Sequence, residues 1–431
     1  MTREEWERKA AALAAEHAER SAATLDTIRL SLVELDRLFK EASTAIERRY
    51  KEIPERLLRE FTEEAEALID EGSLAWLQRD VVEAAAAQVR ALDRHLYQHR
   101  ERRGKPDDVN TDFLCTEHET HVIPRPLAKP PEDPAGVSTT TYRRRGLVRH
   151  RLLPRVTSEG FEVVLHWHRD LSLQFRTAEA KVVSAVFQDL TLIPDRSFEK
   201  FVASEAPCLD EDGAIDAQIA AVYEPGVVLA LWPELTMPKE RRAKLAGALL
   251  AKSKASPLEV RPAIIAAGSW HEVDGRQVRN RMHVLSGSGR HRFYHDKSLP
   301  LESTTLGVEE LTPSDQVAVL VNDDVLIAFG ICRDFCEAQI SDLYIELDVD
   351  LVVVPSYGDR KTIEAHREKA RRLSIKSAGS TFVVQQVVPE EVLTSGSAYV
   401  LPPGGKLDHA DVGKLVVNEI AKAHPISFKK V

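Results

Sequence analysis

The chain contains no apolar run approaching the roughly 20 residues that a helix needs to cross a bilayer. Its charged start, Met1-Thr2-Arg3-Glu4-Glu5-Trp6, is not followed by the apolar stretch of a secretory signal, so the expected compartment is the cytoplasm. Basic charge is in deficit. The 58 Lys and Arg residues face 68 Asp and Glu, a formal net charge of −10, which argues against gripping a phosphate backbone as the main task. Neither a membrane nor a nucleic acid is therefore an expected partner. Cysteine is scarce too: Cys115, Cys208, Cys332 and Cys336 lack the spacing of a disulfide framework. In a reducing compartment each needs its own explanation, and one of the four is expected to be chemical.

Composition divides the 431 residues into several parts. Residues 1–103 are rich in Ala, Glu, Arg and Leu, and Leu25, Ile28, Leu32, Leu35, Phe39, Ala42 and Ile46 recur at steps of three and four. Pro54 and Gly72 punctuate this region into three expected helices, ending at Lys51, spanning Pro54–Asp70 and spanning Ser73–Arg102. The stripe is either the core of a small antiparallel bundle or the seam of a coiled-coil dimer, and it opens a docking role toward a protein partner. Residues 104–140 read as a linker because Pro106, Pro124, Pro126, Pro130, Pro131 and Pro134 resist regular structure. Within it, Cys115, His118 and His121 stand at three-residue steps, as zinc ligands do on a helix. A structural zinc needs four ligands, however, and the chain offers no matching fourth, so no metal is expected. Residues 141–180 read as a β-hairpin-like extension, with His166 and His168 on one strand face.

From Lys181 to the end, strands alternate with helices, which gives an α/β class. Expected strands include Val227–Trp232, Ala263–Ser269, Val317–Val321, Val325–Cys332 and Leu351–Pro355; expected helices include Pro238–Lys254, Ala338–Leu347, Ile363–Ser377 and Ala410–Ala423. Several strands, such as Val227-Val228-Leu229-Ala230-Leu231, are apolar throughout and read as buried on both faces. The run Ser286-Gly287-Ser288-Gly289-Arg290 lacks the ending of a phosphate loop and lies between strands, so it reads as a hairpin turn.

Three polar residues stand at the ends of apolar strands, where α/β folds place reactive groups. Glu234 follows Leu231-Trp232-Pro233, a rigid setting that desolvates a carboxylate and raises its pKa toward that of a general base. Lys297 follows the aromatic strand Arg292-Phe293-Tyr294-His295-Asp296 and precedes Ser298-Leu299-Pro300, where its charge can meet a developing oxyanion. Cys332, in Phe329-Gly330-Ile331-Cys332-Arg333-Asp334, ends a long apolar strand, a position suited to a nucleophilic thiol.

Strand-Pro-Glu, aromatic-x-x-Lys-x-Leu and strand-Gly-Ile-Cys-x-Asp, in that order, resemble the nitrilase (carbon–nitrogen hydrolase) superfamily. The resemblance extends over about residues 181–406, through Gly268-Ser269, Asn280, Gly289, Asp350-Leu351-Val352-Val353-Val354-Pro355-Ser356 and Ser397-Ala398-Tyr399-Val400-Leu401-Pro402-Pro403-Gly404-Gly405. It implies a four-layer α-β-β-α sandwich over 181–431 and a hydrolase acting on a small-molecule amide or related bond. By it, Cys332 is the nucleophile, Glu234 the general base and acid, and Lys297 the oxyanion stabiliser, with the backbone N–H of Arg333 beside the substrate. It implies no metal and no organic cofactor, and a homo-oligomer of dimer size or higher. The family also carries a second glutamate between lysine and cysteine. Glu302, Glu309 and Glu310 are the candidates, and Glu302 is preferred because it closely follows the Leu-Pro turn. This chain departs from the family at Arg333, where Tyr or Trp is usual, and at Asp296, where Arg is usual, which points to a charged substrate if both face inward. Cys336 reads as structural. Two further roles stay open: transfer of the acyl group or ammonia to another acceptor, and partner binding in which turnover is secondary.

Overall fold

The computed structural model describes residues 1–20, 22–99, 113–124, 147–167, 180–195, 197–256, 261–303, 306–321, 325–337, 342–377, 379–387, 398–404, 416–417 and 420–426. They divide into two compact units, and the division falls between Arg155 and Val156. No helix among the described residues is long and apolar enough to cross a membrane.

The first unit holds α1 (Arg3–Glu19), α2 (Leu25–Lys40), α3 (Thr44–Glu52), α4 (Glu55–Asp70) and α5 (Val81–Gln98). The helix expected to reach Lys51 is thus three helices. Thr24 breaks it once: its hydroxyl accepts the Thr27 N–H and caps α2, satisfying a donor that a continuous helix would have used otherwise. Asp80 similarly starts α5 eight residues later than expected, by accepting from the N–H groups of Val82 and Glu83. Ile28, Leu32, Leu35, Phe39 and Ile46 of the apolar stripe are all buried in this unit's own core, with Leu25 and Ala42 packed at its margin. Phe39 sits between Trp6 and Tyr50, each 5.4 Å away between ring centroids.

Two expected boundaries change. The linker region contains β1 (Leu114–Cys115) and β2 (Thr120–Pro124), and β2 pairs with β3 (His150–Pro154). Pro124 and Pro154 stand at strand ends, where a missing N–H does little harm, so they end these strands and do not prevent them. The extension expected as a hairpin over 141–180 is instead divided between the units. Asp93 of α5 holds β3 in the first by accepting from the N–H groups of Val148 and Arg149 and bonding His150 Nδ1, at 2.8, 2.7 and 2.9 Å. Cys115 and His118 take separate partners: the thiol is 3.6 Å from Glu117, and the imidazole meets Arg37 at 2.9 Å.

The second unit begins with β4 (Glu162–Trp167), β5 (Lys181–Ala185), β6 (Ile193–Asp195), β7 (Val202–Glu205), α6 (Glu211–Val222), β8 (Val227–Leu231), α7 (Lys239–Ala255), β9 (Ile264–Asp274), β10 (Gln277–Leu285) and β11 (His291–Asp296). It continues with β12 (Glu302–Ser303), β13 (Gly307–Val308), β14 (Gln316–Val321), β15 (Leu326–Phe329), α8 (Arg333–Cys336), α9 (Leu343–Glu346) and β16 (Leu351–Gly358). Then follow α10 (Arg360–Lys376), β17 (Ser380–Val387), β18 (Ala398–Leu401), β19 (Val416–Val417) and β20 (Ala421–Pro425). One sheet has the order β11-β10-β9-β8-β5-β20 and the other β19-β18-β17-β16-β15-β14-β4.

The period of two along each strand builds the layers. Val182, Leu229, Leu231, Ile264 and Ala266 turn toward Leu320, Ile327, Phe329, Val353 and Phe382 of the second sheet. Their neighbours Val183, Ala230, Ile265 and Ala267 turn the other way, onto Ile215 and Ile219 of α6 and Leu245 and Leu249 of α7. On the far side α10 lies against β16 and β17. The result is the expected α-β-β-α sandwich.

Several expectations differ at the margins. Residues 420–426 form no helix: Ala421–Pro425 pairs antiparallel with β5, because an open sheet edge offers backbone partners that outweigh alanine's helical preference. The helix expected over Ala338–Leu347 is one turn, Leu343–Glu346, with 338–341 outside the described residues. His168 also lies outside them, while His166 stacks on Phe293 with centroids 4.0 Å apart. The glycine-serine run makes the β10–β11 turn, with Gly289 at φ 76° donating to the Ser286 carbonyl.

Removing the Phe39 ring should leave a cavity between Trp6 and Tyr50. Phe39→Ala is therefore expected to lower the hydrogen-exchange stability of α2 by about 3–5 kcal/mol. Lys9→Ala, which removes an exposed pair with Glu41, should leave it unchanged.

Candidate active site

Glu234, Lys297, Glu309 and Cys332 each lie just past a strand end and meet in one buried cluster. Glu234 follows β8 across Trp232 and Pro233; the Trp232 indole is fixed by a 2.8 Å bond to Gln218 of α6. The turn after it is tight. Leu235 has φ 54°, and Gly268 of β9 has φ 54° with the Pro233 carbonyl so near that a Cβ there would collide with it. Arg241 clamps the same loop by donating to the Thr236 and Ala206 carbonyls at 2.6 and 2.7 Å.

Lys297 follows β11 and is fully buried, as are Glu234 and Glu309. Its ammonium donates to Glu234 Oε1 and to Glu309 Oε2, both at 2.6 Å. Asn280 of β10 bridges the same two carboxylates, its Nδ2 donating to Glu234 Oε1 at 2.9 Å and Glu309 Oε1 at 2.8 Å. Two backbone N–H groups complete the set, Tyr357 to Glu234 Oε2 at 2.9 Å and Leu301 to Glu309 Oε2 at 2.6 Å.

The glutamate that joins Glu234 at Lys297 is thus Glu309, not the expected Glu302. The reason is again the period of two. Glu302 pairs with Val308 across β12 and β13, and both are exposed; one step along, Leu301 pairs with Glu309, and both are buried. Glu302 instead meets Arg333 at 2.9 Å, with its side chain 67% exposed. Proximity to the Leu-Pro turn could not distinguish the two faces.

Cys332 is fully buried at φ 50°, ψ −108°. These are close to the first central position of a type II′ turn, and the Asp334 N–H donates to the Ile331 carbonyl at 3.0 Å as that turn requires. A non-glycine residue here is strained by about 1–3 kcal/mol and persists only when its surroundings fix it. They do: the Cys332 N–H donates to the Pro355 carbonyl at 2.9 Å, and the Gly330 N–H to Val353 at 3.2 Å. A side chain at position 330 would collide with the Tyr344 hydroxyl. The strain turns the thiol toward the Tyr357 carbonyl, which accepts from it at 3.6 Å, and leaves it near enough to Glu234 for that charge to act on it.

The residues after Cys332 tie this turn to the lysine loop. Asp334 accepts from the N–H groups of Ser298, at 3.1 Å, and Leu299, at 2.8 Å. Arg333 donates to the Pro300 carbonyl at 2.8 Å and pairs with Glu302 and Glu337. Asp296 is held by Arg281 through bonds of 2.6 and 2.8 Å. Both departures from the family pattern are thus charge-paired, so neither supports the expected preference for a charged substrate.

Electrostatics separates the two carboxylates. Burial pushes Glu234 up more than Lys297 pulls it down, and Glu309 adds to the rise, so its pKa lies above the ordinary carboxylate range. Burial acts on Glu309 too, but Lys297 and a hydrogen bond from His271 outweigh it and hold its pKa well below that range. Burial would lower Lys297, yet the two carboxylates reverse this and keep it charged. The Cys332 thiol is pushed well above its usual value, first by burial and then by the Glu234 charge. Asp334 is pushed up to about 7 by burial, against the pull of Lys297 and its backbone donors.

The sequence-derived residues Glu234, Lys297 and Cys332 thus converge. Asn280, noted only as the start of a hairpin, and His271 join them. Asn280 and His271 face each other in the β9–β10 register, which no local pattern discloses. Among the described residues no group of three or more His, Cys, Asp or Glu could hold a metal ion.

No protein-family model and no curated protein sequence matches the chain. Solved structures of the nitrilase superfamily are similar to it over about half its length. An amidase from Nesterenkonia sp. is 16% identical, covering 55% of this chain and 87% of that one, with a TM-score of 0.38. Saccharomyces cerevisiae Nit3, a member of branch 10 of the nitrilase superfamily, is 16% identical, covering 53% and 84%, with a TM-score of 0.36.

The raised thiol has a direct signature. The 240 nm absorbance difference between the native protein and Cys332→Ser should be absent at pH 7 and appear only in alkaline solution. A thiolate band at pH 7 would contradict the electrostatics described.

Proposed function

We propose that the second unit is a thiol-dependent hydrolase that cleaves a non-peptide carbon–nitrogen bond, of the amide type, through a thioester on Cys332. A buried thiol pushed far above its usual pKa offers almost no free thiolate at neutral pH. Proton removal must therefore accompany attack, and a base is needed at hydrogen-bonding distance. Glu234 is that base. Its proton affinity, raised by burial and by Glu309, suits it to accept the thiol proton and then release it.

The steps balance as ordinary acyl transfer. Sγ bonds to the carbonyl carbon as Glu234 takes its proton, and the oxyanion forms against Lys297 Nζ and the backbone N–H of Arg333. Collapse breaks the carbon–nitrogen bond, and Glu234 returns the proton to the departing amine or ammonia. Water then attacks the thioester, giving its proton to Glu234, and collapse releases the acid and restores the thiol. Lys297 stays charged throughout because Glu309 remains beside it. The observation that carries this reading is the strained Cys332 turn, which fixes the thiol where the Glu234 charge acts on it while Glu234 is bound to Lys297.

Incubation with a panel of small amides, acid quench and intact-mass measurement tests the reading. The native protein should gain the acyl mass at Cys332 with at least one amide. Glu234→Gln should form that adduct more slowly by about 10²–10⁴-fold, and Cys332→Ala should not form it. Amide turnover retained in Cys332→Ala would refute the proposal.

A further inference from the structure

The two buried glutamates share a lysine and an asparagine, so something must decide which of them exchanges a proton. The difference lies in His271 of β9, a side chain that touches neither Cys332 nor Lys297 in any hydrogen bond described above. Its imidazole is fully buried, and Nε2 lies 2.9 Å from Glu309 Oε1. Its other nitrogen settles the direction of that bond. The backbone N–H of Ala203 in β7 donates to Nδ1 at 2.7 Å, so Nδ1 is an acceptor and the ring proton sits on Nε2, pointing at Glu309.

The remaining surroundings hold the ring there. Phe201 packs edge-on to it with centroids 5.6 Å apart. The Phe201 N–H donates to the Val308 carbonyl and the Glu310 N–H to the Phe201 carbonyl, both at 2.9 Å, so the segment that fixes Nδ1 is laced to the segment that carries Glu309. Glu309 consequently accepts from Lys297, Asn280, the Leu301 N–H and His271. Glu234 accepts from Lys297, Asn280 and the Tyr357 N–H, one donor fewer. A carboxylate whose acceptor sites are all filled by donors has no room for a proton.

We propose that His271 is a positioning residue that, by donating from Nε2 to Glu309, holds that carboxylate ionised and reserves proton exchange with Cys332 for Glu234. The inference rests on the hydrolase reading and deepens it. Glu309 becomes the fixed countercharge of Lys297, and Glu234 the working base. His271 has no part in bond making.

The test follows alkylation of Cys332 by iodoacetamide, itself a small amide, in the full chain from pH 5 to 9 by peptide mapping. The native protein should show an acid-side inflection as Glu234 loses its proton. His271→Leu removes the donor, lets Glu309 compete for that proton, and should move the inflection up by about one pH unit. His271→Gln keeps an N–H toward Glu309 and should bring it back. In a Glu309→Gln background, His271→Leu should cause no further shift. An unmoved inflection in His271→Leu, or a shift that persists without Glu309, overturns the proposal. Should His271→Leu fail to fold, nitrogen NMR of histidine-labelled native protein decides: a proton on Nε2 of His271 is expected, and one on Nδ1 overturns it. Cys332 unreactive in the native protein would instead sink the hydrolase reading, and this inference with it.

Discussion

Everything at the site is organised around a lysine ammonium buried away from the surface. Lys297 is fully buried and has two carboxylates at 2.6 Å. Taking three charged groups out of water costs several kcal/mol each, and their mutual attraction recovers this only in close geometry with every remaining donor and acceptor filled. The cluster meets that condition through Asn280 and the N–H groups of Tyr357 and Leu301, contributed by separate strands and loops. Two carboxylates around one ammonium leave one negative charge in excess. That excess raises proton affinity, and the structure directs it to Glu234 by satisfying Glu309 more completely.

The second constraint is the strained Cys332 backbone. Any non-glycine residue at φ 50° is strained, so holding a cysteine there needs rigid support. The support is the parallel pairing of β15 with β16, together with Asp334 and Arg333, which fasten the turn to the loop carrying Lys297. Base, lysine and thiol are thus fixed relative to one another by the ends of both sheets. The proposed acyl transfer would profit from this geometry, because little of it is left to be ordered when a substrate binds.

Much of this was legible in the sequence, and the limits have a physical pattern. Glu234, Lys297 and Cys332 each follow an apolar strand, and a strand's end is a local property that a local pattern conveys. The α/β class was legible for the same reason, since buried strands such as Val227–Leu231 announce themselves; the four-layer sandwich was an expectation from the resemblance. Glu309 and His271 were not legible, because their roles depend on pairing. Glu302 and Glu309 differ only by which face of a short ladder they occupy, and His271 meets Asn280 only through the register of β9 and β10. The N-terminal region likewise disclosed its core stripe and the break at Pro54, but not the earlier breaks. Thr24 caps α2 inside what periodicity alone reads as one helix. The first unit's small sheet was hidden by prolines that stand at its strand ends.

The dependence of the fold on Lys297 can be measured directly by denaturant unfolding of the second unit. Lys297→Met should destabilise it by about 3–5 kcal/mol, because two buried carboxylates lose their countercharge. Combining it with Glu234→Gln and Glu309→Gln, which removes those charges, should recover most of that stability. A Lys297→Met protein as stable as the native one, or a triple variant no better than the single, would contradict the view that this buried ion cluster governs the site.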